Sequence, residues 1–292
     1  MNTAIWQFAQ LAERYAYAAL GIRQGFAGAL RGEVVPLDVG ICLSAARRGG
    51  TWLGSSRLAN FAEHLAALCD ELKRQQISGL LVLGGNGSLA AAARLAACGF
   101  AVVGVPATID NDVAHSDDSI GFDTAVNSGV CLLDAMRDSA ESLPRCFALE
   151  TLGGDTGFLA QAVAEAGCAD FVLAPERPCD EMALFDAVSR VMHRRGYALL
   201  VVSEGYPSLE AVLTRLAERL GARLRFSRIG HAQRGGAPSG HDRALARRLV
   251  QAGCQLLHDG ASGLVVVQQG VVTTRPFESA PSRKPFTPLE AP

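Results

Sequence analysis

Short, unbroken apolar runs separated by longer amphipathic stretches fix the fold class of this chain before any single residue does. Segments 79–83, 101–105, 197–203 and 263–268 are each the length of one strand and alternate with stretches of helical spacing. A strand that is apolar on both faces must be covered on both faces, which is the pattern of a parallel sheet between layers of helices. The stretch 56–75 carries Leu58, Phe61, Leu65, Leu68 and Leu72 along one stripe, as an amphipathic helix does. The same reasoning predicts an alanine-rich helix ending at Cys98, helices over 119–138, 182–195, 209–220 and 241–258, and further strands at 146–149, 171–174 and 223–228. The run 263–268 reads as the final strand. The tail from Arg275, with Pro276, Pro281, Pro285, Pro288 and Pro292, has little periodicity and is expected to lie over the surface or to be mobile.

A chain of 292 residues is long for a single core, so two α/β domains are expected. The formal net charge of -2 gives no electrostatic reason to bind nucleic acid or anionic lipid. No apolar run reaches the length of a membrane span, and the N-terminus lacks the layout of a signal peptide. Cys42, Cys69, Cys98, Cys131, Cys146, Cys168, Cys179 and Cys254 stand singly, which argues against a zinc site or disulfide framework and for reduced thiols. The expected setting is cytoplasmic.

Four segments carry chemistry. Gly84-Gly85-Asn86-Gly87-Ser88 joins a buried strand to a helix, where glycines admit a phosphate to the backbone and the helix start supplies N–H donors. Steric need alone also places glycine in such turns, and both readings stay open. There is no GxxxxGK[ST], which excludes a Walker-type loop. Thr108-Ile109-Asp110-Asn111-Asp112 leaves the next strand at the edge where ligands gather in open α/β sheets. Carboxylates at i and i+2 point the same way, so one can take a proton from a hydroxyl while the other holds a metal or orients the first. That reading is favoured over an Asx-rich surface turn. The stretch 225–236 holds Arg225, Arg228, His231 and Arg234 without balancing acids and closes on Gly235-Gly236, which suits a phosphorylated substrate better than a solvated basic turn. Glu204 ends the apolar run 197–203; it either accepts hydrogen bonds from sugar hydroxyls or braces a neighbouring loop.

In their order and spacing these segments resemble the signature run of the 6-phosphofructokinases. The likeness rests on Gly85-Asn86-Gly87-Ser88, Pro106-Ala107-Thr108-Ile109-Asp110-Asn111-Asp112, Gly121-Phe122-Asp123-Thr124-Ala125 and Gly230-His231-Ala232-Gln233-Arg234-Gly235-Gly236, and extends from Met1 to about Gln269. The resemblance implies two Rossmann-like α/β/α domains with an active-site cleft between them. Residues 1–121 plus 235–280 would form the nucleotide-side domain, 122–234 the fructose-6-phosphate-side domain, and 281–292 a tail. It implies a homotetramer that phosphorylates fructose 6-phosphate with ATP and Mg²⁺. Asp110 would be the general base, with Thr108 and Asp112 beside it. Arg57 matches the arginine that steadies the transferring phosphate, and Gly85, Gly87 and Ser88 the nucleotide side. Glu204, His231 and Arg234 match residues that hold the sugar phosphate, as does Leu152 by position. Arg145 and Arg225 match the two arginines that reach this site from a neighbouring subunit.

The departures are as informative. The family opens with a strand and a Gly-Gly-Asp-x-Pro-Gly loop, roughly 15 residues by ordinary element lengths, and this sequence starts just after that loop. The strand is interior in the family, so its loss is expected to leave unpaired backbone and an open apolar slot. A reading frame started late at an internal Met is the preferred explanation, a diverged paralogue the other. Asn86 replaces the usual magnesium-binding Asp, and Leu152-Gly153-Gly154 replaces Met-Gly-Arg, as in catalytically silent regulatory halves of animal enzymes. Asp110, which those halves lose, is kept. Trp6 and Gln10 replace effector-site arginines, which argues against the usual nucleotide activation. Gly87 and Ala107 replace the Asp and Lys of pyrophosphate-dependent relatives, which favours ATP. The alternatives are a catalytically impaired sugar-phosphate-binding paralogue and, less favoured, a pyrophosphate-dependent phosphotransferase. A dinucleotide-binding oxidoreductase is opposed by the lack of a suitably spaced ribose-binding acid.

Overall fold

The computed structural model describes residues 1–221, 223–277 and 283–287. The described residues group into two units, one built from 1–108, 112–121, 237–277 and 283–284, the other from 109–111, 122–221, 223–236 and 285–287. Of the tail, 278–282 and 288–292 lie outside the described residues.

The first unit runs α1 (Asn2–Arg14), β1 (Leu20–Ile22), α2 (Gly25–Leu30), β2 (Val34–Pro36), α3 (Val39–Ala46), α4 (Phe61–Arg74), β3 (Gly79–Gly84), α5 (Asn86–Ala97) and β4 (Ala101–Pro106). The second holds α6 (Phe122–Ser142), β5 (Cys146–Thr151), α7 (Phe158–Ala166), β6 (Phe171–Leu173), α8 (Glu181–Arg195), β7 (Ala198–Ser203), α9 (Leu209–Arg219), β8 (Leu224–Arg228) and a 3₁₀ turn, Gly230–Arg234. The chain then returns to the first unit with α10 (Gly240–His258), β9 (Gly263–Gln268) and β10 (Val271–Arg275).

In the first unit the sheet order is β10-β9-β4-β3, with β3, β4 and β9 parallel. Side chains alternate across it. Val103, Val105, Val265 and Val267 pack on Leu11 of α1 and on Leu245, Leu249 and Val250 of α10. Leu80 and Val102 face Leu68 and Leu72 of α4 and Leu95 of α5. Each fully buried leucine contributes roughly 1.5–3 kcal/mol. Gly104 makes the packing of β4 possible, because a Cβ there would lie 2.8 Å from Leu89 Cδ2. β3 ends this sheet, and no strand pairs with its outer edge among the described residues. Leu81, Val82 and Leu83 are accordingly only half-buried, while Val102, Val103 and Val105 of β4 are sealed.

The second unit is a fully parallel sheet, β6-β7-β5-β8. All six residues of β7 are buried. Leu199 and Val201 join Leu149 against Leu133 of α6 and Leu159 and Val163 of α7. Ala198, Leu200 and Val202 face Val188 of α8 and Leu213 and Leu216 of α9. Asp180 caps α8, accepting the amides of Met182 and Ala183, and Gly196 ends it at φ +90°.

The structure departs from the sequence reading in several places, α2 and α3 among them, neither of which was expected. Residue 56 does not start a helix: Asn60 adopts φ +51° and α4 begins at Phe61. Helix α7 was not expected from its short apolar run. The run 263–268 is followed by one more strand, β10, across a two-residue turn in which Gln269 and Gly270 both have positive φ, the geometry that favours a hairpin. β1 and β2 form a separate antiparallel pair that was likewise not expected. Among the described residues no helix is long and apolar enough to cross a membrane.

Candidate active site

In the first unit, β3 gives way to α5 with almost no loop. Gly85 is extended at φ -87°, ψ -170°, and Asn86 is already helical. Leu89 is the first residue to bond back, its N–H reaching the Gly85 carbonyl at 3.0 Å. No side chain caps the helix. The amides of Asn86, Gly87 and Ser88 therefore point out of the helix start, where the dipole favours an anion.

The glycines of this turn divide between the two roles left open by sequence. A Cβ at Gly84 would sit 2.6 Å from Ser88, so packing alone demands glycine there. One at Gly87 would meet nothing within 4 Å, so packing makes no demand. At Gly85 the nearest atom would be Thr108 Cβ at 3.4 Å, which brings Thr108 beside the turn. Ser119 Oγ donates to the Thr108 carbonyl at 2.7 Å and fixes the strand exit. Asn111 takes φ +51°, a conformation asparagine tolerates, and is buried. Asp112 is buried as well; Arg283 Nε stands 3.7 Å from its Oδ2, and the Lys284 amide donates to its carbonyl at 3.0 Å. Those tail residues had no expected place at this loop.

Arg57 is exposed ahead of α4 and makes no hydrogen bond or ion pair among the described residues, so nothing ties it to the glycine turn. The segment leading to it is anchored by Asn2, whose Nδ2 donates to the Arg48 carbonyl at 3.0 Å and whose Oδ1 accepts the Trp52 amide at 2.8 Å. Trp6 lies beneath the guanidinium of Arg247, 5.6 Å from the ring centroid, beside a cavity of about 520 Å³ also bordered by Arg47 and Arg243. The cations there come from α10 and the end of α3 rather than from α1.

No group of three metal-ligating side chains occurs among the described residues. Asn86, at the start of α5, offers one uncharged oxygen. Such a donor suits a magnesium ion that keeps most of its ligands as phosphate oxygens and water.

In the second unit the structure brings Asp110, Leu152, Gly154 and Glu204 together. β5 runs into Leu152-Gly153-Gly154, where both glycines have positive φ, +143° and +60°. Their amides donate to a single oxygen, Glu204 Oε1, at 3.1 Å and 2.8 Å. Gly205 must be glycine, since a Cβ would fall 2.4 Å from the Gly154 carbonyl. Asp110 Oδ2 lies 4.0 Å from where a Cβ on Gly154 would stand. Glu204 thus braces a loop through Oε1, the second of its two sequence readings.

His231 and Arg234 are exposed on the 3₁₀ turn that follows β8. Arg228 does not belong with them. Its Nε meets Glu150 at 3.2 Å and its Nη2 meets Glu210 at 2.5 Å. The expectation of an unbalanced basic stretch is corrected there, because the balancing acids come from β5 and α9, far away in sequence. Arg145 and Arg225 lie at the opposite ends of their strands. Arg145 precedes β5, and Arg225 pairs with Phe147 near its start. The Glu204 amide bonds Thr151 at the far end of β5, roughly 20 Å away at about 3.3 Å per residue.

Sequence reasoning gave Gln233 no role, although it sits within a motif singled out there. It is 1% exposed, accepts the Leu152 amide at 2.8 Å and donates to the Ala125 carbonyl at 3.2 Å. A polar residue between two cations in a glycine-rich turn was the only available signal.

The phosphofructokinase family profile matches residues 1–257. ATP-dependent 6-phosphofructokinase 1 of Thermus thermophilus is 40% identical over 292 residues, spanning 97% of this chain and 90% of that protein. The ATP-dependent 6-phosphofructokinase of Halalkalibacterium halodurans is 37% identical over 269 residues, 91% of this chain and 84% of that one. Among solved structures, Saccharomyces cerevisiae phosphofructokinase superposes with a TM-score of 0.85 at 26% identity, over 94% of this chain but only 43% of the yeast chain. A pyrophosphate-dependent phosphofructokinase from Marinobacter aquaeolei gives a TM-score of 0.86 at 22% identity, over 98% of this chain and 82% of that one, a likeness of fold alone.

Proposed function

The chain belongs to the phosphofructokinase family, and on that premise we infer that it transfers the terminal phosphoryl group of ATP to fructose 6-phosphate, giving fructose 1,6-bisphosphate. The observation that carries this reading is 40% identity to an ATP-dependent 6-phosphofructokinase across 97% of the chain. Gly87 supports ATP over pyrophosphate, since residue 87 has no side chain to fill the space before the helix and a Cβ there would meet nothing within 4 Å.

Phosphoryl transfer asks a protein mainly for positioning and charge stabilisation. In this reading the first-turn amides of α5, with Gly85, Gly87 and Ser88, receive the donor phosphates. Thr108 and Arg57 steady the group in transit. Asp110 accepts the proton of the attacking 1-hydroxyl, and Asp112 holds the sugar side of the same loop. Glu204 accepts a sugar hydroxyl through the oxygen not spent on Gly153 and Gly154, alongside Leu152. His231 and Arg234 bind the 6-phosphate through charge-assisted hydrogen bonds. When bound, Mg²⁺ neutralises charge on the phosphate oxygens, and Asn86 is the residue that would hold it, through a neutral amide oxygen.

Arg145 and Arg225, at the far ends of β5 and β8, do not serve the sugar site of their own protomer in this proposal. They complete the site of a neighbouring copy, which requires a homo-oligomer, a tetramer by family resemblance.

Asn86 and Gly154 favour a second reading, a sugar-phosphate-binding relative that does not catalyse. A coupled assay for fructose 1,6-bisphosphate, with Mg-ATP or pyrophosphate as donor, separates the possibilities. Product with Mg-ATP is expected. Product with pyrophosphate alone would reassign the donor. No product from a protein that still binds fructose 6-phosphate would favour the second reading.

A further inference from the structure

Gln233 is the one polar side chain of the 230–236 turn that the proposed reaction leaves without a task, and among the polar residues of the chain it is one of the most deeply buried. Both ends of its amide are used. Oε1 takes the N–H of Leu152 at 2.8 Å, and Nε2 donates to the Ala125 carbonyl in the first turn of α6 at 3.2 Å. Rotating the amide by half a turn would set oxygen against oxygen and N–H against N–H, so a single orientation is permitted. Losing either bond would leave a buried group unsatisfied.

Its neighbours on either side give this lock a consequence. Backbone continuity places His231 two residues before it and Arg234 one residue after it, on the same 3₁₀ turn. Through Leu152 it grips the strand exit that forms the Gly153-Gly154 turn, and that turn holds Glu204 Oε1 and stands beside Asp110. One buried amide therefore joins the turn that carries the cations to the turn that holds Glu204 and stands beside Asp110. The two turns follow β8 and β5, which pair in register as far as Arg228 and Glu150, with the Ile229 amide on the Glu150 carbonyl at 3.1 Å; past that last ladder bond the Gln233 side chain is what ties one turn to the other.

We propose that Gln233 is a positioning residue that sets the spacing between His231–Arg234 and Glu204–Asp110, and thereby the affinity for a phosphorylated sugar. The proposal rests on the fructose 6-phosphate reading, and its test keeps the two apart.

Gln233→Met retains shape but loses both bonds. It should raise KM for fructose 6-phosphate roughly tenfold, about the worth of one buried hydrogen bond, and leave KM for ATP within about twofold. Gln233→Glu gives a second readout. Burial favours its neutral form, which has a donor and an acceptor where the amide has them; the ionised form has no donor and faces the Ala125 carbonyl. KM for the sugar should lie within about threefold of wild type near pH 6 and rise roughly tenfold above it near pH 8.5. The wild-type profile, measured over the same pH range, is the reference. A role confined to stability would lower the melting temperature and active fraction but leave both KM values unchanged and independent of pH, and that result overturns the proposal. If the wild type binds fructose 6-phosphate without turning it over, the catalytic reading falls, and calorimetric binding of the same sugar to wild type and Gln233→Met decides the role of Gln233. If the wild type does not bind the sugar, both fall.

Discussion

The turn after β3 and the turn after β5 occupy equivalent places, each at the carboxyl end of a parallel strand, yet they spend their backbone donors in opposite ways. After β3 the helix begins at once, no side chain caps it, and the amides of Asn86, Gly87 and Ser88 face outward. After β5 the amides of Gly153 and Gly154 are already consumed by Glu204, and the strand exit is tied down by Gln233. The first turn offers main chain to a ligand, the second offers side chains that main chain holds in place. Main-chain recognition tolerates many sequences provided the backbone path survives; side-chain recognition fails at single positions. Changes in the first turn should therefore act on the nucleotide, and changes in the second on the sugar and the chemical step.

The largest effect expected is at Asp110. Asp110→Asn removes the proposed base and should lower kcat by roughly 10²–10⁴-fold, while fructose 6-phosphate binding by calorimetry should stay within about threefold of wild type. Persistent turnover would remove Asp110 from the chemistry and leave the turn after β5 with the sugar alone. Next, Glu204→Gln should raise KM for fructose 6-phosphate roughly tenfold, because an amide oxygen is a weaker acceptor than a carboxylate; an equal rise in KM for ATP would show that the turn after β5 is not specific to the sugar. A comparable loss is expected for the Arg145→Ala, Arg225→Ala double variant. Mixed with Asp110→Asn under subunit exchange, it should regain activity in hybrid oligomers that contain one intact site. No regain would place both arginines outside the sugar site. Gly87→Asp puts a negative side chain into the open space before α5, where it would repel the donor phosphates and compete with them for the helix start, and should raise KM for ATP several-fold, with the sugar KM unchanged.

The smallest effect concerns stability and appears only in alkali. Burial pushes the Cys146 thiol in the second unit and the Cys254 thiol in the first up to about 12. Folding favours the neutral thiol, so this contribution is intact below the ordinary thiol pKa of 9.0 and is lost as pH rises from there toward about 12. Cys146→Ala and Cys254→Ala should each flatten the fall in chemical-denaturation stability over that window. An unchanged slope in either variant would mean that the thiol is not sealed.

The parts of this molecule legible in sequence were those whose signal is local. Continuous apolar runs marked β3, β4, β7 and β9 because full burial allows no polar interruption, and the motif residues around Asp110 and Glu204 fell on strand ends for the same reason. What escaped was set by distant partners. Arg228 looked available for phosphate until Glu150 and Glu210 arrived from β5 and α9. Gln233 looked like one more polar loop residue until folding buried it under Leu152. β10 was hidden because Gln269 stands where a hairpin turn of this kind usually takes asparagine. Helix α7 was hidden by its length, since nine residues, apolar but for Gln161 and Glu165, show too little period to separate helix from strand.

The outer edge of β3, which no strand pairs with among the described residues, bears on how the protein behaves in a tube. A strand hydrogen-bonded on one side only is a template for any extended peptide it meets. Two such edges can close on each other as a symmetric pair, which ends further growth, whereas pairing with a different surface propagates. β3, Gly-Leu-Leu-Val-Leu-Gly, has neither charge nor proline to discourage contact. Colloidal behaviour at high concentration therefore depends on what covers six residues that take no part in the chemistry beyond leading into it.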